Sequence, residues 1–438
     1  MSDAGAGASR QGMVARLLLA LHRLVHPQHA EEQARIDRLA KAMTASAAGS
    51  HDEAQAIRRQ LDGLADKVAQ LALDRDVRGL HKQVDQLRDA SGRQHRMLQQ
   101  GLRYAEWAES LRVDERRLEA RLRRLAQPTQ TVVVGPWTGE VGFELLYWIP
   151  FVTWALRKAG VPPERTVIVS RGGPRAWYAH LGGRYFDVLE QVSPDEFRTR
   201  TEERKKQLML GPFDREVVRR TIERAGIERP FLLHPGLMYR LFIPYWKQTA
   251  TVRRVEDYTD YVPVSRPSVP ELAGRLPADY VAVRFYFSSS FPDTPPNRAF
   301  VESTVRSLVA STDIVMLNTG FNLDDHRDFS PAQSARIHTI GDLMAPERNL
   351  EVQTAVIAGA RAFVGTYGGY SYLAPLCGVP SLAFYSVREG FFAHHLELAE
   401  RVFRRLGAGS LLPLDVRDAD LVRLALGSSA ASIGQGPA

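Results

Sequence analysis

Two carboxylates, Glu140 and Glu144, occur in a glycine-containing stretch, 135–150, that follows the β-branched run 131–134. A strand that ends in such a loop and leads into a helix is where parallel sheets bind ligands. Glycines let the backbone approach a ligand closely, and amides remain available at the helix start. The stretch lacks the Gly-Lys-Ser/Thr of a P-loop and the spacing of a dinucleotide fingerprint. Both carboxylates are therefore candidate acid–base groups, with helix capping as the alternative for each.

A second strand–loop–helix signal spans 364–381 and is also rich in glycine. The amides of Gly368–Ser371, at the predicted start of its helix, suit the negative charge of a diphosphate. The alternative is a tight turn that needs glycine for steric reasons alone. We treat this loop as a candidate phosphate-binding loop.

Three further features are weaker candidates. Arg284 directly follows the apolar residues 281–283 of a predicted strand and is expected to face a cleft, where it would offset charge on a leaving group; a structural arginine is the alternative. Glu351 begins a predicted helix, and capping accounts for it equally well. The segment 234–247 combines four aromatic residues with cationic side chains that suit a sugar and an anionic acceptor. Packing is the commoner use of such a segment, so none of its residues is assigned.

Continuous apolar runs predict the elements that position these residues. Runs without polar alternation favour parallel strands covered on both faces, hence a doubly wound α/β fold. The runs are 131–134, 166–170, 231–233, 280–285, 313–317, 362–365 and 381–385. About 300 residues exceed one such unit. We therefore predict two Rossmann-like units, 131–265 and 278–425, divided by the proline-rich segment 266–277.

The first 127 residues have a different composition, dominated by helix formers. Heptad-like apolar spacings predict a coiled coil over 28–127 that mediates self-association, with a register break after Leu71. They occur at Ile57, Leu61, Leu64, Val68 and Leu71, and again at Val77, Leu80, Val84 and Leu87. The alternatives are a long helix that folds back on its own domain and a helical hairpin that turns near 44–50. Residues 1–27 predict a basic amphipathic helix that either lies on an anionic membrane surface or packs in an oligomer.

Composition excludes several classes of protein. With 44% hydrophobic residues the chain is too apolar to be disordered, and it has no apolar run long enough for a transmembrane helix. The single cysteine, Cys377, excludes disulfides within the chain and fits a reducing, cytoplasmic location, with peripheral attachment to the inner membrane if 1–27 binds lipid. A net charge of +7 over 438 residues, without a recognised module, does not indicate nucleic-acid binding.

Both loops resemble those of nucleotide-sugar glycosyltransferases of the GT-B fold, in particular the heptosyltransferase-like branch of bacterial surface polysaccharide biosynthesis. In that group a glycine is followed by an acid, with a proline six residues beyond it. Gly142, Glu144 and Pro150 reproduce the interval from acid to proline, with Phe143 inserted after the glycine. The donor-side pattern is matched at Thr366, Gly368 or Gly369, Ser371, Leu373, Ala374 and Pro380. The resemblance covers about 131–425 and leaves the coiled coil outside.

The resemblance implies transfer of a sugar from a nucleotide-sugar co-substrate to a glycan or glycolipid acceptor, with no further cofactor. Glu144, with Glu140 in reserve, would take the proton of the acceptor hydroxyl. The implied donor-binding residues are Arg284, Glu351, Thr366, Gly368, Gly369, Ser371 and Tyr372. No Asp-x-Asp sequence lies at a predicted strand end, so we predict metal-independent transfer. The alternative is a scaffold protein whose coiled coil is the working element and whose GT-B part is inactive.

Overall fold

The computed structural model describes residues 113–201, 207–321, 323, 326–388 and 391–419. All of them belong to the second of two compact units, Val113–Ala438. The predicted helix over 1–27, residues 28–112 of the predicted coiled coil and positions 420–425 lie outside the described residues.

The first parallel sheet has four strands in the order β3-β2-β1-β4. Alternate residues of β1 pack into different core clusters, Val132 and Val134 into one and Val133 into another, so both faces of the strand are covered. The chain moves outward from β1 to β3 and then returns to β4 on the other side of β1, which makes this a switch point where open sheets bind ligands. The strands are β1 (Thr131–Val134), β2 (Thr166–Ser170), β3 (Arg184–Asp187) and β4 (Pro230–Leu233).

The second parallel sheet has six strands in the order β12-β11-β10-β5-β7-β9. Its switch point lies between β5 and β10, because the chain runs outward from β5 to β9 and then returns to the other side. A two-stranded antiparallel pair, β6 (Tyr286–Phe287) with β8 (Arg327–Asp328), lies outside this sheet. The six strands are β5 (Tyr280–Arg284), β7 (Asp313–Met316), β9 (Ile337–Thr339), β10 (Ala362–Thr366), β11 (Ser381–Tyr385) and β12 (Leu411–Asp415).

α-Helices form most of the crossovers between the parallel strands, whereas β2 is joined to β3 through the 3-10 segment Pro174–Leu181. Each of the seven predicted apolar runs overlaps a strand, which confirms the α/β prediction with parallel sheets. The helices are α1 (113–125), α2 (Val141–Phe143), α3 (Ile149–Ala159), α4 (Pro194–Thr201), α5 (Pro212–Ala225), α6 (Gly236–Trp246), α7 (Arg253–Glu256), α8 (Pro295–Ser311), α9 (Asn349–Gly359), α10 (Gly369–Leu376) and α11 (Ala393–Leu406). A π-helical turn, Glu144–Trp148, joins α2 to α3. Among the described helices, none has the length and apolarity needed to cross a bilayer.

Helix α1 packs on the α/β unit, although the sequence assigned these residues to the coiled coil. Leu118 and Leu125 are buried in the core cluster that also contains residues of both sheets. Glu115, on the same helix, forms an ion pair with Arg254 of α7. The last turns of the predicted apolar stripe therefore contact their own globular unit.

The carboxyl ends of the two sheets face each other. The amide of Leu350, in the first turn of α9, donates to the carbonyl of Gly172, just after β2, at 2.7 Å. The indole of Trp177 donates to Thr354 Oγ1 at 2.9 Å. These bonds bring the loops that follow the strands of one sheet against the loops that follow the strands of the other.

Candidate functional site

The two glycine loops that the sequence singled out touch each other. One leads from β1 into α2 and the other from β10 into α10. A Cβ atom added to Gly369 would lie 2.6 Å from Cγ1 of Val141 and 2.8 Å from the amide nitrogen of Gly142. Carbon atoms do not approach so closely, so this contact requires glycine. The candidate loops are thus brought together at one place between the two sheets.

Glu140 lies at the surface of this region. It is exposed, and it occupies the N-cap position of α2 in an extended backbone conformation without a side-chain capping bond. Burial, and then the nearby charge of Glu140, raise the pKa of Tyr239 on α6 well above its ordinary value. Glu140 is therefore an accessible carboxylate beside the contact between the loops.

Glu144 is fully buried, with no exposed surface. Its Oε1 accepts hydrogen bonds from Ser170 Oγ at 2.5 Å and from the Tyr178 hydroxyl at 2.6 Å. Burial raises its pKa to about 7, against the opposing effects of Arg171 and the two hydroxyls. A carboxylate without exposed surface does not contact an acceptor in this arrangement. The first-choice base of the sequence prediction is thus a buried group behind the loop, and the reserve, Glu140, is the accessible one.

Sequence reasoning missed Arg171, which follows β2. Its guanidinium is 6% exposed and donates to the carbonyl of Gly139, in the first glycine loop, at 2.7 Å. Its Nε has no hydrogen-bond partner among the described residues, and neither has Oε2 of Glu144. The sequence did contain a pattern that could have identified it, because Arg171, Gly172 and Gly173 directly follow a predicted strand.

Asp187, at the end of β3, fixes the loop after Arg171. Its carboxylate accepts from the amides of Gly172 and Gly173 at 3.0 and 2.6 Å, and from the Tyr185 hydroxyl at 2.8 Å. Burial raises its pKa to about 6, although these bonds oppose the rise. Gly173 has a φ of +81°, and a Cβ atom there would lie 2.6 Å from Cα of Arg348. The buried carboxylate therefore holds a glycine loop against the second half.

Arg284 lies at the switch point of the second sheet, where its charge is neutralised within the protein. Its guanidinium is 3.2 Å from Asp328 Oδ1 and also donates to Gln353 Oε1. It stacks 4.4 Å from the ring centroid of Tyr370, the second residue of α10. The arginine is 8% exposed, so its charge lies directly beneath the first turn of that helix.

The other predicted donor-binding side chains bond within the protein. Thr366 Oγ1 accepts from the amide of Tyr286 and donates to the carbonyl of the same residue. Ser371 caps its own helix through both backbone groups of Gly368. Tyr372 bonds to the hydroxyl of Tyr367. These buried side chains shape the loop, and its backbone forms the surface that faces the first loop.

Two of the implied donor-binding residues remain outside the contact between the loops. A Cβ atom on Gly368 would lie 1.9 Å from the hydroxyl of Tyr286 on β6, so only glycine leaves room for that tyrosine side chain. Glu351, in the first turn of α9, is half-buried and 3.7 Å from Arg348 Nε. The Glu351 carboxylate thus has an arginine side chain as its neighbour, whereas the sequence pattern indicated only donor binding or helix capping for it.

Aromatic side chains form one wall behind Glu140. Phe143, which is half-buried, contacts Trp246 of α6 and His395 of α11 at centroid distances of 5.1 and 5.2 Å. The Tyr147 hydroxyl lies 2.5 Å from Nδ1 of His395. Most aromatics of the segment 234–247 are buried, which agrees with packing as their main role. The contribution of α11 was not expected from the sequence.

Within the described ranges, no group of three or more His, Cys, Asp or Glu side chains is placed to hold a metal ion. Metal independence of the expected reaction stays a prediction.

No family model and no curated protein matches the sequence. Solved structures with a similar fold include the ADP-heptose LPS heptosyltransferase II of E. coli, at 11% identity over 59% of this chain and 85% of that chain, TM-score 0.35. The family 9 glycosyl transferase of Veillonella parvula matches at 12% identity over 69% and 91%, TM-score 0.36. The iron-containing dodecameric glycosyltransferase TibC of E. coli matches at 12% identity over 60% of each chain, TM-score 0.33. This chain thus spans less than two thirds of the TibC chain. At these scores the matches carry no argument about activity.

Proposed function

We propose that this protein is a glycosyltransferase that moves a sugar from a nucleotide-sugar donor to a glycan or glycolipid acceptor without a protein-bound metal. One observation carries the proposal: the loops at the switch points of two separate parallel sheets meet face to face, one with an exposed carboxylate and the other with a helix start above a buried arginine. Ligands of parallel sheets bind at such points, and two of them that face each other suit a donor and an acceptor held side by side.

In this proposal Glu140 acts as the general base. The acceptor oxygen forms a bond to the anomeric carbon while the bond from that carbon to the diphosphate oxygen breaks, and the hydroxyl proton passes to the Glu140 carboxylate. Glu140 is accessible, whereas Glu144 has no exposed surface. In this proposal Glu144 does not take part in proton transfer. Its hydrogen bonds with Ser170 and Tyr178 stabilise the turn that follows α2.

The leaving diphosphate gains negative charge as the bond breaks. The positive end of α10 and the guanidinium of Arg284 beneath its first turn are the groups that offset this charge in the proposal. Fixed dipoles and a buried cation need no metal to do so.

An inactive α/β part, with scaffolding as the function, is the second candidate. It is favoured by the internal bonding of the donor loop. Asp328 neutralises Arg284, the Thr366 hydroxyl bonds to the backbone of Tyr286, and the Ser371 hydroxyl bonds to the backbone of Gly368. A scaffold would bind no nucleotide.

A thermal-shift screen of the full chain against ADP, GDP, UDP and CDP separates the two candidates, because a ligand of the folded state raises its stability by mass action. We expect stabilisation by one base in preference to the others. No shift with any of them at millimolar concentration would contradict the enzyme proposal and favour the scaffold.

The base is then tested with the corresponding nucleotide sugar, by following release of the nucleoside diphosphate. Loss of a general base lowers the rate by about 10²- to 10⁴-fold. We expect this loss for Glu140→Gln, with unchanged donor-induced stabilisation. Glu144→Gln is the matched comparison and should lower the rate far less. The reverse order would overturn the assignment of Glu140.

A further inference from the structure

The structure contains a cationic cavity that sugar transfer does not use. It has a volume of about 540 Å³ and lies between α1, the end of β4, the start of α6 and the segment that begins at Gln207. Its lining, all within the described part of the chain, comprises four arginines, one histidine and seven aliphatic residues, and no acid. A cavity with this lining suits an anionic group that is attached to an apolar chain.

Helix α1 supplies the cationic side. Arg117, Arg121 and Arg124 follow each other at spacings of four and three residues, so they share one face of the helix. Leu118 and Leu125 occupy the adjacent face and are buried in the core. The helix is therefore anchored by its leucines and presents its arginines to the cavity.

The positive charges of this cluster are poorly compensated. Arg117 pairs with Asp114 at 3.2 Å, but none of Arg121, Arg124 and Arg240 forms an ion pair with a described residue. Arg121 and Arg124 stack on the ring of Phe231 at 5.6 and 5.2 Å. Burial, and then the charges of Arg124 and Arg240, lower the pKa of the Arg121 guanidinium. An anion in the cavity would relieve this repulsion.

Two partly buried groups lie on the opposite wall, on and just before α6. Nε of Arg240 is buried and donates no hydrogen bond within the described residues. Nε2 of His234 lies 3.5 Å from Asp214 Oδ2, so this side chain is partnered by that carboxylate and is given no role on the phosphate. The Nε–H group of Arg240 is a donor that a phosphate oxygen can use.

The rest of the wall is apolar and unusually open. Met209 is 77% exposed and Leu208 38% exposed, and both line the cavity beside Leu237. The segment also adjoins the first glycine loop, because Gln207 bonds to Pro136 and Thr138. Exposed aliphatic side chains next to a poorly compensated arginine cluster favour a ligand with both an anionic and an aliphatic part.

We propose that this cavity binds a phosphate group carried on an aliphatic chain, with the arginines on the phosphate and Leu208 and Met209 against the chain. The proposal does not depend on sugar transfer.

Calorimetry on the full-length protein tests it with three probes: monomeric dihexanoyl phosphatidic acid, inorganic phosphate and dihexanoyl phosphatidylcholine. We expect phosphatidic acid to bind at least about tenfold more tightly than either of the others. Inorganic phosphate has no acyl chains, and the choline cation of phosphatidylcholine offsets the charge of its phosphate. Equal affinity for phosphate and phosphatidic acid would overturn the proposed aliphatic contact.

The triple variant Arg117→Gln, Arg121→Gln and Arg124→Gln should lose at least about tenfold in affinity for phosphatidic acid. A matched triple variant, Arg219→Gln, Arg336→Gln and Arg361→Gln, removes the same charge at exposed positions outside the cavity and should bind like the native chain. Residues 1–112 are the same in both proteins, so any lipid binding by that segment cancels. Equal affinities of the two triple variants would place the site elsewhere.

Met209→Ser provides a second test that does not depend on the folding of the triple variant, because this side chain is largely exposed. It should weaken binding of phosphatidic acid and leave the affinity for inorganic phosphate unchanged. An unchanged affinity for phosphatidic acid would contradict the proposal.

Discussion

Replacing Glu144 by Gln tests the electrostatics of the buried site. The native carboxyl accepts two hydrogen bonds at Oε1, from Ser170 and Tyr178, and an amide oxygen can accept the same two. The substitution therefore removes the ionisation of the side chain and keeps its shape and these bonds. What changes is the dependence of stability on pH.

The sign and size follow from the pKa of Glu144, which burial raises from 4.5 to about 7. The folded state holds the proton more tightly than the unfolded state, so the contribution to stability is full below pH 4.5 and is lost as pH rises to 7. At about 1.36 kcal/mol per pKa unit the loss is about 3 kcal/mol, most of it between pH 5 and pH 8. The Gln variant does not undergo this loss.

Urea unfolding followed by tryptophan fluorescence at pH 5, 6, 7 and 8 measures the effect. We expect the stability of Glu144→Gln relative to the native chain to increase by about 2 to 3 kcal/mol across this range. Asp187 also titrates with a raised pKa, but it is present in both proteins and largely cancels. Glu140→Gln, an exposed control, should show no such trend. A relative stability that does not change with pH would refute the reasoning.

Three further substitutions test the packing. Leu118→Ala should cost about 2 to 4 kcal/mol, because Leu118 is 2% exposed in the core, and urea unfolding of the globular unit will show it if α1 belongs to that unit. Gly369→Ala should lower the melting temperature, because the added methyl group would clash with Val141. Gly341→Ala is the control and should leave the melting temperature unchanged, because the nearest atom to its added Cβ would be 3.9 Å away. Thr354→Val leaves the indole N–H of Trp177 without its acceptor and should cost about 1 to 3 kcal/mol, while Thr354→Ser should cost less.

The strands of the two parallel sheets that sequence patterns did not predict all lie at an edge. Of the four edge strands, β3, β9 and β12 were not predicted, whereas β4 was predicted by the run 231–233. An edge strand has a neighbour on one side only, so it needs no continuous apolar run. The short run Arg184–Asp187 is partly exposed, and β12 contains Pro413, which edge strands tolerate. The apolar runs correspond to the central strands β1, β2, β5, β7, β10 and β11 and to the edge strand β4.

The sequence was sufficient to predict which loops form the candidate site, but not which of their side chains are exposed to a ligand. Strand ends followed by glycines located Glu140 and the donor loop, and the end of an apolar strand located Arg284. Whether a side chain faces a ligand depends on partners distant in sequence: Glu144 is covered by Ser170 and Tyr178, and their bonds cannot be inferred from spacing. The same holds for α11, whose His395 reaches Tyr147 across nearly 250 positions.

The pairing of Arg284 with Asp328 leads to a last prediction, which rests on the proposed donor site. A diphosphate beneath α10 competes with the Asp328 carboxylate for the guanidinium, and both side chains are at most 16% exposed, so the competition is strong. Asp328 lies on β8, which forms only two residue pairs outside the main sheet, so it can yield without disturbing β5. Asp328→Asn should therefore lower the stability of the unliganded chain and tighten binding of the preferred nucleoside diphosphate about fivefold, roughly 1 kcal/mol. Calorimetry that found weaker or unchanged binding in Asp328→Asn would show that Arg284 does not contact the diphosphate.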